Sequence, residues 1–455
     1  MQNEKLSLVE KLGYGSGDFA ANLLFHTWNL FLLKFYVDVF GISATAAATM
    51  FAITRLLDIV TDPMVGIWAD RTRSKWGKYR PWILFGSVPL GLCGYLMFIT
   101  PDLGPDGKLI YAWISYSLAM LLYTVVQIPY SALMGVMTPD AAQRTQLSSF
   151  RFFGAFSAQL LTGAITLYLI DSFGGAEGDL SSGYRTTIAL FMILATLLYA
   201  FTFISTKERV NDGKTLDSSQ PSSDIKGDLK ALLTNLGWGV LFVSALFNLI
   251  HVAVRNGALL FYFDYYVGDQ SKAALFFSVG SVSFLLGILL ANFLVKKFAK
   301  KHLLVTLTCC TSVMLFAFYL LPPDAYGLML VFNCCASFVA GPIPVLLYVL
   351  YADLADYTEW KTGRKVMALI YSTMLIGVKA GLVVGGALAG YLLGLSGYVA
   401  NQPQNQQALE TIVMLVSVIP ASFALLSGLM IIFYPFSEAT MEQVEDELRQ
   451  RRLAA

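Results

Sequence analysis

The stretch Thr54–Trp82, TRLLDIVTDPMVGIWADRTRSKWGKYRPW, decides the class of this chain. Its first part is apolar except for Arg55, Asp58 and Asp62. Its second part carries five cations, Arg71, Arg73, Lys75, Lys78 and Arg80, within ten residues. Arg55, Asp58 and Asp62 stand at i, i+3 and i+7, which places them on one face of a helix. Ionisable groups at membrane depth are expensive and usually face a bundle interior or a water-filled path. The segment therefore reads as a membrane helix with charges at its centre, followed by a basic loop.

Composition places the rest of the chain around that helix. Of 455 residues, 56% are hydrophobic and 13% charged, where a soluble domain carries roughly 25% charged residues. The mean hydropathy is +0.63. A polytopic membrane protein follows, surrounded by lipid bilayer. Net charge is only +1, which speaks against a nucleic-acid partner. The five cysteines lie in apolar runs, none forms a CxxC, and they read as packed hydrophobes. Met1–Glu10 is polar and the apolar run behind it is too long for a signal peptide. No HExxH, GxxxxGK[ST] or GxSxG appears, so no enzyme activity is expected.

A ruler of about 20 apolar residues per span gives twelve: 12–38, 43–70, 80–100, 109–137, 146–170, 185–205, 233–266, 271–295, 302–321, 325–351, 366–395 and 408–434. The long Ser/Asp/Lys-rich stretch falls between spans six and seven. The expected organisation is a six-helix bundle over 1–206, a linker over 207–231, a second bundle over 232–435 and a tail over 436–455, two repeated halves of an all-α membrane protein. Even-to-odd connections hold eighteen Lys/Arg, while odd-to-even connections hold Lys108, Arg185 and Lys272 alone. By the positive-inside rule both termini are expected in the cytoplasm.

Two aspartates at i, i+4 repel each other, and the penalty grows in a low dielectric. Asp58 and Asp62 thus need a proton, Arg55, or a bound cation such as Na+. Pro63 lacks an N–H, so the carbonyl of Ile59 loses its helical partner and becomes a further oxygen ligand. Pro129 does the same to Val125 on span four. On span seven, Asn248, His251 and Arg255 form a polar stripe at i, i+3 and i+7. Because Arg grips carboxylates bidentately, Arg255 points to an acidic ligand, or else to a pair with Asp38 or Asp264. Trp28 and Tyr123 offer stacking surfaces, and His26 is a candidate proton carrier.

LGYGSGDFAANL, RLLDIVTDPMVGIWADRTRSKWGKYRPWIL, YTVVQIPYSAL, ADLADYTEWKTGR and LIYSTMLIGVKAG, in that order, resemble the glycoside–pentoside–hexuronide:cation symporters of the major facilitator superfamily, among them the melibiose carrier. The resemblance spans about residues 5–435. It implies a major facilitator fold of two pseudo-symmetric six-helix bundles, and sugar import by alternating access, driven by Na+ or H+, with no cofactor beyond the coupling ion and a monomeric state. It assigns Asp58, Asp62 and Thr124 to the coupling ion, and Asp18, Arg151 and Lys379 to the sugar. Gln127 stands where the melibiose carrier has an acidic residue and is assigned to both sites. Ser131 and Pro344 replace aromatic platforms, and Gly17 replaces a lysine, so galactoside specificity is not expected. With Arg255, Arg151 and Lys379 available, an acidic, hexuronide-type glycoside is favoured. The segment that leaves span ten with Asp353, Asp356, Glu359 and Arg364 is expected to pair with Arg71, Lys75 and Arg80 of the loop beginning at Asp70, or with Arg144, when the transporter faces outward, and to part when it faces inward. Arg55 belongs to the charge network as a counter-charge within span two. A lysolipid-type or drug/metabolite transporter of the same fold is the alternative.

Overall fold

The computed structural model describes residues 6–138, 140–174, 179–209, 232, 234–363 and 367–454. Most of the 207–231 segment, and Arg364, lie outside the described residues. Among the described residues the apolar runs form helices, and there are no strands.

The first half contains α1 (Leu8–Lys34, continued by a π-helical turn Phe35–Phe40), α2 (Ala44–Arg71), α3 (Arg80–Leu96), α4 (Pro105–Met137), α5 (Ala141–Gly174) and α6 (Leu180–Ser205). The second contains α7 (Leu236–Phe261, continued by a π-helical turn Tyr262–Tyr266), α8 (Lys272–Lys297), α9 (Lys300–Ala317) and α10 (Tyr326–Ala340), with α11 (Pro342–Thr362) completing span ten. It goes on to α12 (Met367–Leu395), then α13 (Gln406–Val416) with α14 (Val418–Ile432) as span twelve, and a final helix α15 (Glu438–Ala454). Ten of these spans are long and apolar enough to cross a membrane unaided, and α2 counts as an eleventh across a 40° bend between Ala44–Asp58 and Thr61–Arg71. At 17 residues, α3 is about 26 Å long and completes the twelve. The bend falls where Pro63 removes a backbone donor.

Within the first half α1 packs on α5 and α6, and α3 on α4 and α6. In the second half α7 packs on α12 and α14, and α8 on α10. Lipid tails are as apolar as leucine, so helices associate in membranes by close packing of small residues. At the α1–α5 crossing a Cβ on Gly154 would lie 2.2 Å from the Gly15 carbonyl oxygen. Only glycine fits there. Three residues on from Gly15 is Asp18, and three before Gly154 is Arg151, so this crossing brings that charged pair together.

An even number of crossings leaves both chain ends on one face, called here the terminal face, with the basic α2–α3 and α8–α9 loops. The halves meet through α2 on α12, α5 on α8 and α1 on α7, and they close toward the opposite face. There Lys34 is 5% exposed and bridges Asp38 of its own half (2.6 Å) and Asp264 of the other (2.5 Å). Asp38 also accepts from the hydroxyls of Tyr265 (3.1 Å) and Tyr398, and Asn401 donates to its carbonyl (2.6 Å). Thr49 and Tyr391 share a hydroxyl hydrogen bond of 2.6 Å across the same seam. Asp38 and Asp264 are thus taken by Lys34, and neither pairs with Arg255 as the sequence allowed.

On the terminal face the ion pairs Asp70–Lys78, Glu10–Arg209 and Lys300–Asp353 each join groups of one half. The α2–α3 loop is tied down by Glu208, which accepts from the backbone N–H groups of Lys78, Tyr79 and Arg80 at 2.7–3.0 Å. Those are the orphan donors at the start of α3, where a carboxylate is favoured. Gly77, at φ +105, leaves the space that the Glu208 carboxylate fills. Arg80 donates to the Phe203 carbonyl and Arg144 to the Thr138 and Gly135 carbonyls.

Removing one partner from a buried ion pair costs about 3–5 kcal/mol, because a lone charge stays behind. Lys34→Met leaves a buried carboxylate, Asp38, and a partly exposed one, Asp264, without their shared cation on the seam. It is expected to raise the rate at which a membrane-impermeant maleimide, applied from the face opposite the termini, labels Asn29→Cys in a background whose native cysteines are serine. The expected gain is at least tenfold, and an equal rate would show that the seal does not depend on Lys34.

Candidate functional site

Halfway through the membrane α1, α2, α4, α5 and α12 bring two charged clusters together. The first is built on Asp18, which is 4% exposed. Arg151 donates to it through Nε at 2.9 Å and Asn22 through Nδ2 at 3.2 Å. Gln127 lies beside the same carboxylate, with its own Oε1 buried without a donor. The Arg151 guanidinium lies 5.6 Å over the Tyr130 ring. Tyr130 stacks on Tyr14 at 4.9 Å and donates its hydroxyl to the Tyr14 carbonyl at 2.7 Å.

Tyr130 also accounts for Gly17. A Cβ there would lie 2.4 Å from the tyrosine ring, so the ring occupies the place where the resembling family carries a lysine side chain. The aromatic surface absent at Ser131 is thus present one residue earlier. Tyr348 of α11 reaches electrostatic range of Arg151 from the other half. Neither tyrosine stood out in the sequence, since tyrosines in membrane spans are ordinary core residues.

The second cluster is built on Asp62. Lys379 of α12 forms an ion pair with one carboxylate oxygen, and Thr124 of α4 donates to the other at 3.1 Å. Asp58, one turn away on the same face, lies within the fields of Lys379 and Arg55. Arg55 in turn lies beside the Tyr116 hydroxyl. Two carboxylates therefore face two cations, one on their own helix and one from the opposite half. The Lys379 side chain is 42% exposed although it sits at mid-membrane depth. With the opposite face sealed by Lys34, solvent reaches the site from the terminal face.

A polar alcohol, two carboxylates and a bent helix supply hard oxygen ligands of the kind that hold Na+ or exchange a proton. Carboxylate, guanidinium and amide around Asp18 read hydroxyl groups, and the tyrosines add flat apolar surface. Trp28 meets Tyr123 edge to face at 5.7 Å, on the wall between the clusters and the sealed face.

The span-seven stripe does not join them. Arg255 donates to Asn333 Oδ1 at 3.2 Å and lies over the rings of Phe318 (5.0 Å) and Phe276 (5.6 Å). Its Nε and the Nδ1 of His251 are buried without partners, and Asn248 is buried beside them. The stripe faces the interior of the second bundle, among α8, α9 and α10. Helical spacing shows that three polar groups share a face, and tertiary packing decides what that face meets. His26 packs against Phe25 at 5.4 Å. On the terminal face Asp353 is bound by Lys300 at 2.8 Å within its own half, with Asp356 and Glu359 further along α11, while Arg71 ends α2 and Lys75 lies on the α2–α3 loop.

Overpacking a filled site costs about 1–3 kcal/mol. Gly17→Ala should push Tyr130 from beneath Arg151 and lower transport about five- to a hundredfold. Tyr130→Ser in the same chain should recover part of the loss. Equal transport by Gly17→Ala and the parent would show that the Tyr130 ring has no part in the site.

Residues 13–438 match the family described as MFS/sugar transport protein. The inner membrane symporter YicJ of Escherichia coli is 36% identical over 99% of this chain and 96% of its own. A putative glycoside/cation symporter of the same organism, YagG, is 33% identical over 99% and 96%. The inward open structure of the xylose transporter XylE from E. coli superposes with a TM-score of 0.62 at 16% identity, covering 96% of this chain and 98% of that one, a likeness of fold. Twelve helices in two bundles with charges at mid-depth are thus the build of a multi-pass membrane transporter rather than an enzyme, and the chain belongs to the MFS/sugar transport protein family.

Proposed function

We propose that this transporter imports a glycoside or oligosaccharide together with Na+ or H+, by alternating access, with its terminal face in the cytoplasm. The observation that carries the proposal is Asp62, held at once by Thr124 of its own half and Lys379 of the other. A carboxylate at that depth needs a positive partner. A coupling ion or proton arriving at Asp58 and Asp62 takes over the role of the Lys379 ammonium and releases α12 from α2. The sugar binds on the Asp18, Gln127 and Arg151 cluster. A ligand shifts a conformational equilibrium only by its differential affinity for the two states. An ion that competes with a bridging lysine has such a difference built in. The bias of Lys/Arg toward the terminal face supports the orientation, and the arrangement described here is then inward-facing.

An acidic glycoside is the second reading, favoured by the buried Arg255, whose Nε has no partner. The test is uptake of labelled xylosides, galactosides, glucosides and glucuronides into right-side-out vesicles under an imposed Na+ or H+ gradient. Accumulation of at least one of them, at least tenfold above vesicles without a gradient, is expected. Asp62→Asn should abolish accumulation. No uptake of any glycoside under either gradient would refute the function, and preference for neutral glycosides would refute the acidic reading.

A further inference from the structure

Above the two charged clusters, toward the sealed face, α1, α2, α4, α7 and α12 enclose a cavity of about 50 Å³. Its wall includes Trp28, Asn29, Arg55, Tyr116, Gly257 and Gly386. We infer that this cavity is a second sugar subsite, taking the ring of a glycoside that lies beyond the one bound at Asp18, and that Gly386 sets how large that ring can be. The inference rests on the glycoside reading above.

The glycines of α12 carry the argument. A Cβ on Gly381, Gly385, Gly390 or Gly394 would come within 2.4–2.7 Å of an atom on α7 or α2. Those four are small so that helices can touch. A Cβ on Gly386 meets nothing within 4 Å, and one on Gly257, across the cavity, meets only ordinary contacts at 3.5 and 3.9 Å. These two glycines keep space open. Gly386 stands seven residues from Lys379, about 10 Å along the helix toward the sealed face. The cavity shares Arg55 with the second charged cluster and lies on its entry side.

The wall has the chemistry of a sugar subsite. The indole N–H of Trp28 is buried without an acceptor, and such an orphan costs roughly 1–3 kcal/mol unless a ligand or water accepts from it. Arg55 and Asn29 add donors, and Trp28 and Tyr116 add aromatic surface for the apolar face of a pyranose. A cavity of this size holds a few waters. It lies on the joint between the halves, with Leu33 in its wall one residue from the Lys34 bridge, so parting that bridge widens it. The subsite opens to the side from which substrate arrives and shrinks as the seal closes, which moves the distal ring toward the terminal face.

The test uses disaccharides matched with the methyl monoglycosides of their terminal sugar (xylosyl, galactosyl, glucosyl and glucuronosyl pairs), with uptake measured in the same vesicles. The ratio of disaccharide to monoglycoside uptake should fall at least tenfold in Gly386→Leu, and by a smaller factor in Gly386→Ala. Adding a methyl where no atom lies within 4 Å leaves folding intact, so the alanine variant keeps the test valid if the leucine variant does not insert. An unchanged ratio in Gly386→Leu, or in Gly386→Ala where the leucine variant does not insert, overturns the subsite. A parent chain that takes up neither sugar of any pair refutes the glycoside reading itself, a different result.

Discussion

A carboxylate at mid-membrane depth cannot stay alone, and Asp62 meets that constraint with a lysine from the other half of the molecule. Breaking a buried pair by removing one partner costs several kcal/mol, while exposed pairs contribute about 0–1 kcal/mol; with its lysine 42% exposed, the Asp62–Lys379 pair lies between these limits. The arrangement of the two bundles is therefore tied to what neutralises one aspartate. The same constraint acts again at the sealed face, where Lys34 satisfies Asp38 and Asp264 at once. Both bridges use a lysine. Its compact ammonium on a flexible stem can leave a carboxylate more readily than the planar fork of an arginine. Arg151, by contrast, is held to Asp18 within one half, where no rearrangement of the bundles need separate them.

The two faces of the molecule are not closed by equivalent means. The sealed face has a buried lysine, two tyrosine hydroxyls and an asparagine around two carboxylates. The terminal face has pairs such as Asp70–Lys78, in which Asp70 is 61% exposed. Buried pairs are screened little by salt, and exposed ones a good deal. The loop between α2 and α3 is fixed chiefly by the Glu208 carboxylate on the amides that begin α3. That is a contact within one half and survives any rocking of the other.

Much of the fold was legible because its signals are local. Twelve apolar runs, a basic bias and the charges of Thr54–Trp82 can be read without knowing any neighbour, and the bend in α2 follows from Pro63 alone. What the sequence could not supply was which charge meets which. Lys34 and Asp38 carry the same signature as Asp58 and Asp62, ionisable groups one turn apart in an apolar run. Asp38 and Asp264 were read only as alternative partners of Arg255, and Lys34 was passed over, because the two carboxylates it joins lie in different halves. Arg255 was expected among the ligand-binding groups on the strength of a helical stripe. Its neighbours turn out to be Asn333 and two phenylalanines, set by how α7 is rotated against α8 and α10. Gly17 looked like a lost lysine until Tyr130 was seen in the same space.

Charge balance at the centre bears on what the site can accept. Arg151 is committed to Asp18 and Lys379 to Asp62, so each cluster is close to neutral before any ligand enters. A hydroxylated neutral ligand can exchange donors and acceptors with Asp18, Asn22, Gln127 and Arg151 without changing that balance. Its binding then depends on geometry and on apolar contact with the tyrosines. An anionic ligand would add a negative charge beside three carboxylates, and would have to draw Arg151 or Lys379 from an aspartate that then stands alone in a low dielectric. Arg255 offers the one cation described in the bundle core whose recorded contacts are an amide oxygen and aromatic faces rather than a carboxylate. It faces away from both clusters. If the ligand is the glycoside proposed above, a neutral one fits this charge balance without rearrangement, and an acidic one would require α7 to present Arg255 differently once the sealed face has opened.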